Sequence, residues 1–590
     1  MARSQEPLLT RRASDRSNDH DLAEEDALLT GEPTNRQPPS DRWQKWRELG
    51  LFLWALIATA AIIVLAIVYQ KHQAAKPPSP NPTGKRNLIF MVSDGMGPTS
   101  LSLTRGFKQY QHAESWDNVL VLDKHMIGQS RTRSSSSLVT DSAAGATAFS
   151  CGFKSYNGAI SVLPNHEPCG TVLEAAKRAG YMTGLVVTTR ITDATPACFA
   201  AHVNMRSEED RIAEQMVGDY PLGRVVDLMF GGGRCHFLPN TTEGSCRADD
   251  NDIRTLAGKH GFSYVDNRED FDGLNLGSAI NLPMLGLFAD HDIPYEVDRR
   301  NENDIYPSLD EMARTAMRAL SEATRDSDKG FFLMIEGSRI DHAGHANDPV
   351  AQVHEVLAYD KTVASVLEFL EKDPVQGVMV STSDHETGGL AAARQLHTTY
   401  PEYLWYPGVL ANASHSAERL AQNYQKFLSA QRNEDETIAW LKNAVENDLG
   451  IHDASEEEIN NLAENPDISP YVFADMVSRR SQTGWSTHGH SAADVNIFAS
   501  DPIAASPLVG NHENTEVGEF LRNYLSVDVE AITKELRSKG IGHGKVDAMT
   551  GESIGWMGRM PDEAEINDHD HLDHYQGDFK KHKRCEICGM

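Results

Sequence analysis

The sequence is poor in cysteine for its length. Its 590 residues include only seven cysteines, an odd number. That is too few for a fold held together mainly by disulfides. The chain is longer than the size at which a single hydrophobic core usually stops growing. Hydrophobic residues make up 40% and charged residues 24%, which is ordinary for a globular protein and excludes general disorder.

Positive charge is also scarce. The chain has 55 Lys and Arg residues against 85 Asp and Glu, a formal net charge of −30. Proteins that bind nucleic acid need a basic surface, so we expect no nucleic-acid partner. Two explanations of the acidity remain open, namely a solvated surface that keeps the protein soluble and carboxylates that face metal ions.

One long apolar run stands near the N-terminus. Residues 1–48 are rich in Arg, Asp, Ser and Pro, have no apolar periodicity, and predict a disordered cytoplasmic tail. Residues 49–69 carry no charge, are apolar on every face and are long enough to span a bilayer. The run is too long, and too far from the N-terminus, for the core of a signal peptide. We therefore predict a transmembrane helix over residues 49–69.

The basic residues around this run suggest its orientation. Four precede it and two follow it: Arg36, Arg42, Lys45, Arg47, Lys71 and Lys76. This modest bias favours a cytoplasmic N-terminus, a single-pass type II protein with its main body in a lumen or outside the cell. In such a compartment disulfides are credible, and so is glycosylation at the sequons of Asn240 and Asn412. Residues 70–84 are proline-rich and predict a stiff stalk.

Short apolar, β-branched runs alternate with helical segments after the stalk. Buried strands are predicted over 86–94, 183–189, 331–336 and 377–384, and helices over 171–180 and 308–324. This alternation predicts an α/β fold, with a central, mostly parallel sheet flanked by helices on both faces. We expect a catalytic domain over 85–530, with a less regular inserted accessory lobe at 388–485.

Residues 531–590 are acidic and then rich in histidine. The end of the chain carries three histidines and a lone CxxC pair: His569, His571, His574, Cys585 and Cys588. These residues offer metal ligands, but a short His-rich tract specifies little. A solvated or removable tail is therefore the favoured interpretation.

Acidic residues and histidines follow the predicted strands. They are Asp94 after the first, Glu336, Asp341, His342 and His345 at the third, and Asp384 and His385 after the fourth. Open α/β sheets bind ligands outside the carboxyl ends of their strands, so we expect these side chains to meet at one edge. Imidazole with carboxylate suits zinc, whereas carboxylate, hydroxyl and water suit magnesium. Each motif alone has a simple explanation as a turn, but together they predict a polynuclear metal site.

A nucleophile candidate lies at a predicted helix start. Asp141 is suited to the N-cap position, and the small residues after it allow close packing. Ser142 would then lie at the helix N-terminus, where free amides and the helix dipole favour a phosphate group. A serine needs activation, and no G-x-S-x-G elbow surrounds this one, so we expect activation by a metal rather than by a catalytic triad.

Six motifs, in this order and spacing, resemble those of the alkaline phosphatases. They are VSDGMG, TDSAAGATA, TDATPACFAAHV, EGSRIDHAGH, TSDHETGG and THGHSAADV. The resemblance covers about residues 85 to 530 and is closest to the vacuolar (repressible) members of fungi, which have a short cytoplasmic tail and one N-terminal span. It implies a homodimer that hydrolyses a broad range of phosphate monoesters through a phosphoserine.

The resemblance also implies a role for each candidate site residue. Ser142 would be the nucleophile, and Arg206 would hold two phosphate oxygens. Two zinc ions and one magnesium ion are implied per subunit. One zinc would bind to Asp341, His345 and His490, the other to Asp94, Asp384 and His385, and magnesium to Asp94, Thr195, Glu336 and, through water, Asp193.

Two positions leave alternatives open. The THGH motif offers both His488 and His490, and counting back from Asp494 and Val495 places His490 at the position of the ligand in the family that the motifs resemble. Position 342 is His, where some relatives have Lys and others His, which bears on metal preference.

Rival functions are considered on the same residues. A metal-dependent phosphodiesterase, pyrophosphatase or sulfatase would use a similar sheet, but Arg206 and the third metal set favour a monoesterase. A non-catalytic binding protein is disfavoured by the complete set of ligands and the nucleophile. Metal-dependent hydrolysis with unprotonated ligands should favour neutral to alkaline pH.

A short motif suggests a destination. Leu28 and Leu29 follow three acidic residues, a pattern suited to a sorting adaptor on a cytoplasmic tail. Together with the fungal resemblance, it predicts the membrane of a vacuole, with the catalytic domain in the lumen. The resemblance further implies that the C-terminal tail is a removed propeptide.

Overall fold

The computed structural model describes residues 41–74, 84–400, 403–540, 545–546 and 553–562. It divides into two units, of which the first contains the helix α1, Asp41–Ala74. Within this helix, Lys45–Val64 has a mean hydropathy of 1.8, so α1 could cross a membrane by length and composition alone. The predicted span at 49–69 lies inside α1. The dileucine pair, most of the predicted stalk and the His- and Cys-containing C-terminus lie outside the described residues.

The second unit is built on a sheet of ten strands in the described part of the chain. The strands, including two small two-stranded sheets, are β1 Arg86–Val92, β2 Met126–Arg131, β3 Met182–Arg190, β4 Leu228–Gly232, β5 Ser263–Val265, β6 Met284–Leu287, β7 Phe331–Glu336, β8 Gln376–Thr382, β9 Glu386–Thr387, β10 His490–Ser491, β11 Val495–Ala499, β12 Gly510–Glu513, β13 Lys545–Val546 and β14 Ser553–Ile554. The order across the large sheet is β12-β2-β11-β8-β1-β7-β3-β4-β6-β5. Only β11 runs antiparallel to its neighbours, β2 and β8. The predicted mostly parallel sheet is therefore confirmed.

Helices connect these strands. They are α2 Pro98–Gln111, α3 Ser142–Cys151, α4 Val172–Arg178, α5 Ala194–Ala200, α6 Glu209–Met216, α7 Ile253–Lys259, α8 Arg268–Gly273, α9 Glu296–Arg299, α10 Leu309–Ala323, α11 Arg339–His345, α12 Pro349–Lys372, α13 Pro407–Asn412, α14 Ala417–Leu428, α15 Glu434–Asn447, α16 Glu456–Glu464, α17 Ser469–Ser481, α18 Asn514–Leu525 and α19 Val529–Gly540. Helices α4 and α10 begin with capping boxes at Thr171 and Ser308, so both helix starts can be predicted from the sequence.

The sheet is buried on both faces. In β1, Leu88 and Phe90 belong to one hydrophobic core, and Ile89 and Met91 belong to another. Successive side chains of a strand point to opposite faces, so one strand contributes to both cores. This burial explains why β1 reads as a continuous apolar run rather than an alternating one.

The predicted accessory lobe is helical in the described residues between β9 and β10, where it contains α13 to α17. Its apolar residues, such as Tyr424 and Phe473, share a core with Leu103 of α2 and Val353 of α12. The lobe is thus packed onto the main body through a common hydrophobic core.

The C-terminal region differs from the predicted tail in two places. Helix α19 crosses the predicted boundary at residue 530, and its Ile532 and Leu536 are buried in the main core. Further along, Trp556 is only 9% exposed and belongs to that same core. Buried apolar side chains therefore fix both places to the folded body.

The described residues contain two disulfides, Cys151–Cys169 and Cys235–Cys246. Cys198 is buried and unpaired. Both sequon asparagines, Asn240 and Asn412, are exposed, so a glycan could be attached at either without unfolding.

Candidate active site

Four adjacent parallel strands, β8, β1, β7 and β3, bring the candidate residues to one edge of the sheet. Val92 at the end of β1 is level with Glu336 on β7 and Thr382 on β8. Asp94, Asp384 and His385 come directly after these strand ends. Asp193 and Thr195 follow β3 in the same way. The sheet itself therefore gathers carboxylates and an imidazole from distant parts of the sequence, as expected at this edge.

The turn after β1 is shaped by a glycine. Gly95 has φ of +77°, and a Cβ there would lie 2.5 Å from Cα of Asp341. Glycine is the residue that adopts this conformation without strain and leaves room for another backbone. Its small size lets the turn after β1 lie close to the backbone of Asp341.

Ser142 is the first residue of α3, and its side chain is buried at the site. Asp141 caps the helix, because its Oδ1 accepts a hydrogen bond from the amide of Ala144 at 2.9 Å. Its Oδ2 accepts another from the amide of Gly158 at 2.9 Å. The hydroxyl Oγ of Ser142 lies 3.1 Å from Nε2 of His385. The helix N-terminus thus presents the serine directly to the carboxylate–imidazole cluster.

One potential metal-binding cluster consists of Asp94, Asp384 and His385. Nε2 of His385 lies 3.4 Å from Oδ1 of Asp94 and 3.2 Å from Oδ2 of Asp384. All three side chains are buried. Carboxylate and imidazole at these separations are the ligand types that zinc prefers.

A second cluster centres on Asp341. Nε2 of His345 lies 3.3 Å from its Oδ2, and Nε2 of His490 lies 3.5 Å from its Oδ1. The two Nε2 atoms are 3.1 Å apart. Nδ1 of His490 is held by the carbonyl oxygen of Thr140 at 2.7 Å, and Nδ1 of His345 by the carbonyl oxygen of His488. Such backbone contacts fix the ring orientation of a histidine ligand and leave Nε2 for the metal.

The two histidines of the THGH motif have different surroundings. His490 is buried and stacks on His385, with ring centroids 3.5 Å apart. His488 is exposed, and its Nδ1 is bonded to the carbonyl oxygen of His345 at 2.8 Å. Only His490 has its ring at the cluster.

The third predicted set surrounds Glu336. Burial and the negative charges of Asp193 and Asp384 raise the pKa of Glu336 well above its usual range, while the hydrogen bond from Ser338 opposes the shift. The hydroxyl of Ser338 donates to Glu336 Oε2 at 2.7 Å. Carboxylates and a hydroxyl are the donors that suit magnesium.

Two carboxylates of the site, Asp94 and Asp384, carry more buried negative charge than the nearby side chains offset. Asp94 Oδ1 and Asp384 Oδ2 are buried and accept no hydrogen bond in the described part of the chain. Burial and then the neighbouring carboxylates raise the pKa of Asp94, and burial raises that of Asp384 to about 6. An unpaired buried carboxylate is costly unless a cation is bound to it. The residues present therefore fit a site for divalent metal ions.

Arg206 is held by two acids at the edge of the site. Its Nη2 donates to Asp193 Oδ1 at 2.9 Å, and its Nη1 to Asp141 Oδ2 at 3.4 Å. Its backbone amide donates to the carbonyl oxygen of Gly158 at 2.7 Å. The charges of Asp193 and Asp141 outweigh burial and raise the pKa of Arg206, which stays a cation. The same two acids cap α5 and α3, so the guanidinium is fixed relative to Ser142.

Sequence reasoning missed several contributors to the site. The hydroxyl of Thr387 donates to Asp341 Oδ1 and lies 3.2 Å from Nδ1 of His385. Its position in the TSDHETGG motif is the signal that could have identified it. Arg190 contacts Asp292 at 3.1 Å, and nothing local in the sequence marks that pair.

The structure places His342 outside both clusters. Its Nδ1 lies 3.4 Å from Asp292 Oδ2, and burial lowers its pKa, which favours the neutral ring. The side chain can thus influence the site through Asp292, Arg190 and Asp193, which lie in successive contact.

Comparison with known proteins adds independent information. Residues 85–527 match the family model described as alkaline phosphatase. The repressible alkaline phosphatase of Saccharomyces cerevisiae is 48% identical over 534 residues, which are 86% of this chain and 94% of that protein. An alkaline phosphatase of Schizosaccharomyces pombe is 46% identical over 531 residues, 89% of this chain and 96% of that protein.

A solved structure shares the fold. A cold-active alkaline phosphatase from a psychrophilic Shewanella species superposes with a TM-score of 0.62 at 30% identity, covering 74% of this chain and 99% of that one. The range matched by the family model contains Ser142, Arg206 and every candidate metal-binding residue of the active site.

Proposed function

The chain belongs to the alkaline phosphatase family, and on that premise we propose that it hydrolyses phosphate monoesters through a phosphoserine formed on Ser142. The observation that carries the proposal is the position of Ser142. Its Oγ lies at a helix N-terminus, 3.1 Å from His385 and beside the buried carboxylates of Asp94 and Asp384. One oxygen of each carboxylate accepts no hydrogen bond in the described part of the chain. A phosphate bound there would meet helix amides, a guanidinium and the metal-binding side chains together.

We assign three metal sites to the residues present. One zinc ion would be held by Asp341, His345 and His490, a second by Asp94, Asp384 and His385, and magnesium by Asp94, Thr195, Glu336 and, through water, Asp193. When bound, these ions supply the positive charge that stabilises the attacking and leaving oxygens and lowers the pKa of the serine hydroxyl.

The side chains of the site carry out the nucleophilic attack and bind the phosphate. Ser142 loses its proton to solvent, and its Oγ attacks phosphorus as the bond to the leaving alkoxide breaks, giving a phosphoserine. The alkoxide takes up a proton from water and departs as the alcohol. Water then attacks the phosphoserine, which releases inorganic phosphate and restores the hydroxyl. Arg206 binds two phosphate oxygens through its planar fork, and Asp141 and Asp193 keep that fork in place. A site that binds only the phosphoryl group accepts many alcohols, so the specificity would be broad.

The remaining features suit a lumenal enzyme on a membrane. Helix α1 is long and apolar enough to anchor the chain. The two disulfides and the exposed sequons of Asn240 and Asn412 suit an oxidising compartment. We assign the protein to a vacuolar membrane as a type II homodimer, delivered by an adaptor that binds Leu28 and Leu29, with the C-terminal end removed as a propeptide.

The full chain in detergent provides the test. Hydrolysis of an aryl phosphate monoester and of the matching diester is measured from pH 5 to 10, with chelator and with zinc and magnesium restored. We expect alkaline monoesterase activity that chelation removes, metals restore and Ser142→Ala abolishes. Faster hydrolysis of the diester, or full activity in Ser142→Ala, would overturn the proposal.

A further inference from the structure

A short C-terminal segment docks beside the loop that carries Arg206. Residues 555–559, which we call the strap, follow β14. Trp556 is buried against His202 and Tyr220, with ring centroids 5.8 Å and 6.5 Å away. Met557 packs on a small cluster that includes Tyr156 and Met205. The strap is thus anchored by contacts that include His202 and Met205 of the loop at 202–208.

Hydrogen bonds also join the strap to Asn204 and Glu208, which lie two residues before and two residues after Arg206 in the sequence. The carbonyl oxygen of Met557 accepts from the amide of Asn204 at 2.9 Å, and that of Gly558 accepts from the Asn204 side chain at 3.2 Å. On the other side, the amide of Arg559 donates to Oε1 of Glu208 at 3.0 Å. Without the strap, a buried side chain and a backbone amide on this loop would lose their partners.

The strap also packs tightly against the Arg206 loop, in addition to its hydrogen bonds. Gly558 has φ of +83°, and a Cβ there would lie 2.2 Å from Oε1 of Glu208. The carbonyl oxygen of Trp556 also accepts from Nε2 of Gln215 at 3.2 Å, and Gln215 in turn bonds to the backbone of His202. The start and end of the Arg206 loop are therefore both fixed to the same five residues.

We propose that the strap is a positioning element for phosphate binding. It fixes Asn204 and Glu208, and thereby the backbone from which Arg206 reaches the phosphate. The inference rests on the proposed function, because it takes Arg206 as the phosphate-binding side chain. It follows that C-terminal processing has to occur beyond Arg559 to leave an enzyme with full phosphate affinity.

Substitutions in the full chain test the role. Trp556→Ala removes the anchor, and Gly558→Ala pushes the strap away from Glu208. For each we expect the KM for an aryl phosphate and the inhibition constant for inorganic phosphate to rise about 3- to 10-fold, with kcat within about twofold, as for a displaced positioning group. Trp556→Phe should restore most of the affinity, and Met560→Ala, at an exposed neighbour, should change nothing.

Two further measurements keep the test decisive if a variant does not fold. In the unaltered protein, amide hydrogen exchange should be slow at Asn204 and Arg559, and fast exchange at both would overturn the docking itself. A chain ending at Asp562 should keep its phosphate affinity, whereas one ending at Gly540 should lose it.

The outcomes distinguish a failure of the proposed role of the strap from a failure of the proposed monoesterase activity. Variants with unchanged KM and phosphate inhibition, beside an active parent enzyme, would show that the strap only stabilises the fold. A parent enzyme without monoesterase activity would instead contradict the proposed function.

Discussion

Arg339 and Glu418 form an ion pair, in which Nη2 of Arg339 donates to Oε2 of Glu418 at 2.6 Å. The guanidinium side chain is only 1% exposed. Its Nη1 also donates to the carbonyl oxygen of Ile293, and its Nε to Nδ1 of His342. Arg339 begins α11, the helix of Asp341 and His345, and Glu418 lies in α14. The pair therefore joins one candidate zinc site to the helical lobe.

Breaking this pair should destabilise the protein. We expect Glu418→Gln to lower the free energy of unfolding by about 3 kcal/mol, because removing one partner leaves a buried charge uncompensated. Urea unfolding of the metal-loaded protein, followed by circular dichroism, measures the effect. In the control Glu446→Gln, the lost partner is His452 and both side chains are largely exposed, so little change is expected. Equal losses in the two variants would contradict the argument.

The choice between His490 and His488 predicts a difference in metal content. His490→Asn removes a buried ring nitrogen from the Asp341 cluster, so we expect the loss of one zinc ion per chain. Activity should fall by at least about 100-fold, because even a disturbed metal ligand lowers metal affinity or activity by roughly 10- to 100-fold. His488→Asn alters an exposed ring and should retain both metal and most activity. Atomic absorption on the purified variants, with parallel assays, measures both. Zinc loss in His488→Asn alone would reverse the assignment.

Glu355 on α12 predicts a pH dependence of stability. Its Oε1 accepts from the amide of Glu296 at 2.6 Å, and burial raises its pKa to about 7. Between pH 4.5 and about 7 the folded protein therefore holds a proton that the unfolded chain has lost. Its contribution to stability is complete below pH 4.5 and is lost as the pH rises through 7.

Glu355→Gln should remove this pH-dependent contribution to the free energy of unfolding. From pH 5 to 8 we expect the variant to gain about 2 kcal/mol of unfolding free energy relative to the parent. Burial lowers the pKa of the adjacent His354 to about 3, but that histidine is present in both proteins and cancels from the comparison. Glu371→Gln, at an exposed position of the same helix, is the control. Unfolding curves that shift in parallel at every pH would show that Glu355 does not titrate in this range.

The order of the site along the sheet was predictable, because buried parallel strands are continuous apolar runs. β1, β3, β7 and β8 begin and end within two residues of their predicted limits. The carboxyl ends of these strands share one edge of the sheet, so the sequence alone predicts that residues such as Asp94 and Asp384 lie close together. Candidate roles at single positions came from the resemblance of the motifs to a family and not from spacing.

Contacts across long sequence separations were not predictable. The carbonyl oxygen of Thr140 orients His490 from 350 residues away, and Arg190 meets Asp292 across 102 residues. Neither pair has a local pattern, because each depends on how separate loops pack at the sheet edge. The strap was missed for the same reason. Its residues resemble a tail in composition, and the packing of Trp556 and the hydrogen bonds of the strap show that they belong to the fold.

Two glycines within helices separate the effect of helix propensity from that of packing. Gly145 lies in α3, where a Cβ would meet Cβ of Asp384 at 2.9 Å. Gly258 lies in α7, with nothing within 4 Å of the same atom. Alanine is preferred to glycine in a helix by about 1 kcal/mol, so Gly258→Ala should stabilise the protein by up to that amount.

Gly145→Ala should forfeit that gain, because the added methyl group pushes α3 away from Asp384. We expect weaker zinc binding and a loss of activity of at least about tenfold, since Ser142 begins the helix that moves and small displacements of reacting groups are costly. Zinc titration of the metal-free protein and assays of both variants provide the measurement. If Gly145→Ala were as active and as stable as Gly258→Ala, the close approach of α3 to Asp384 would not be what holds the nucleophile in place.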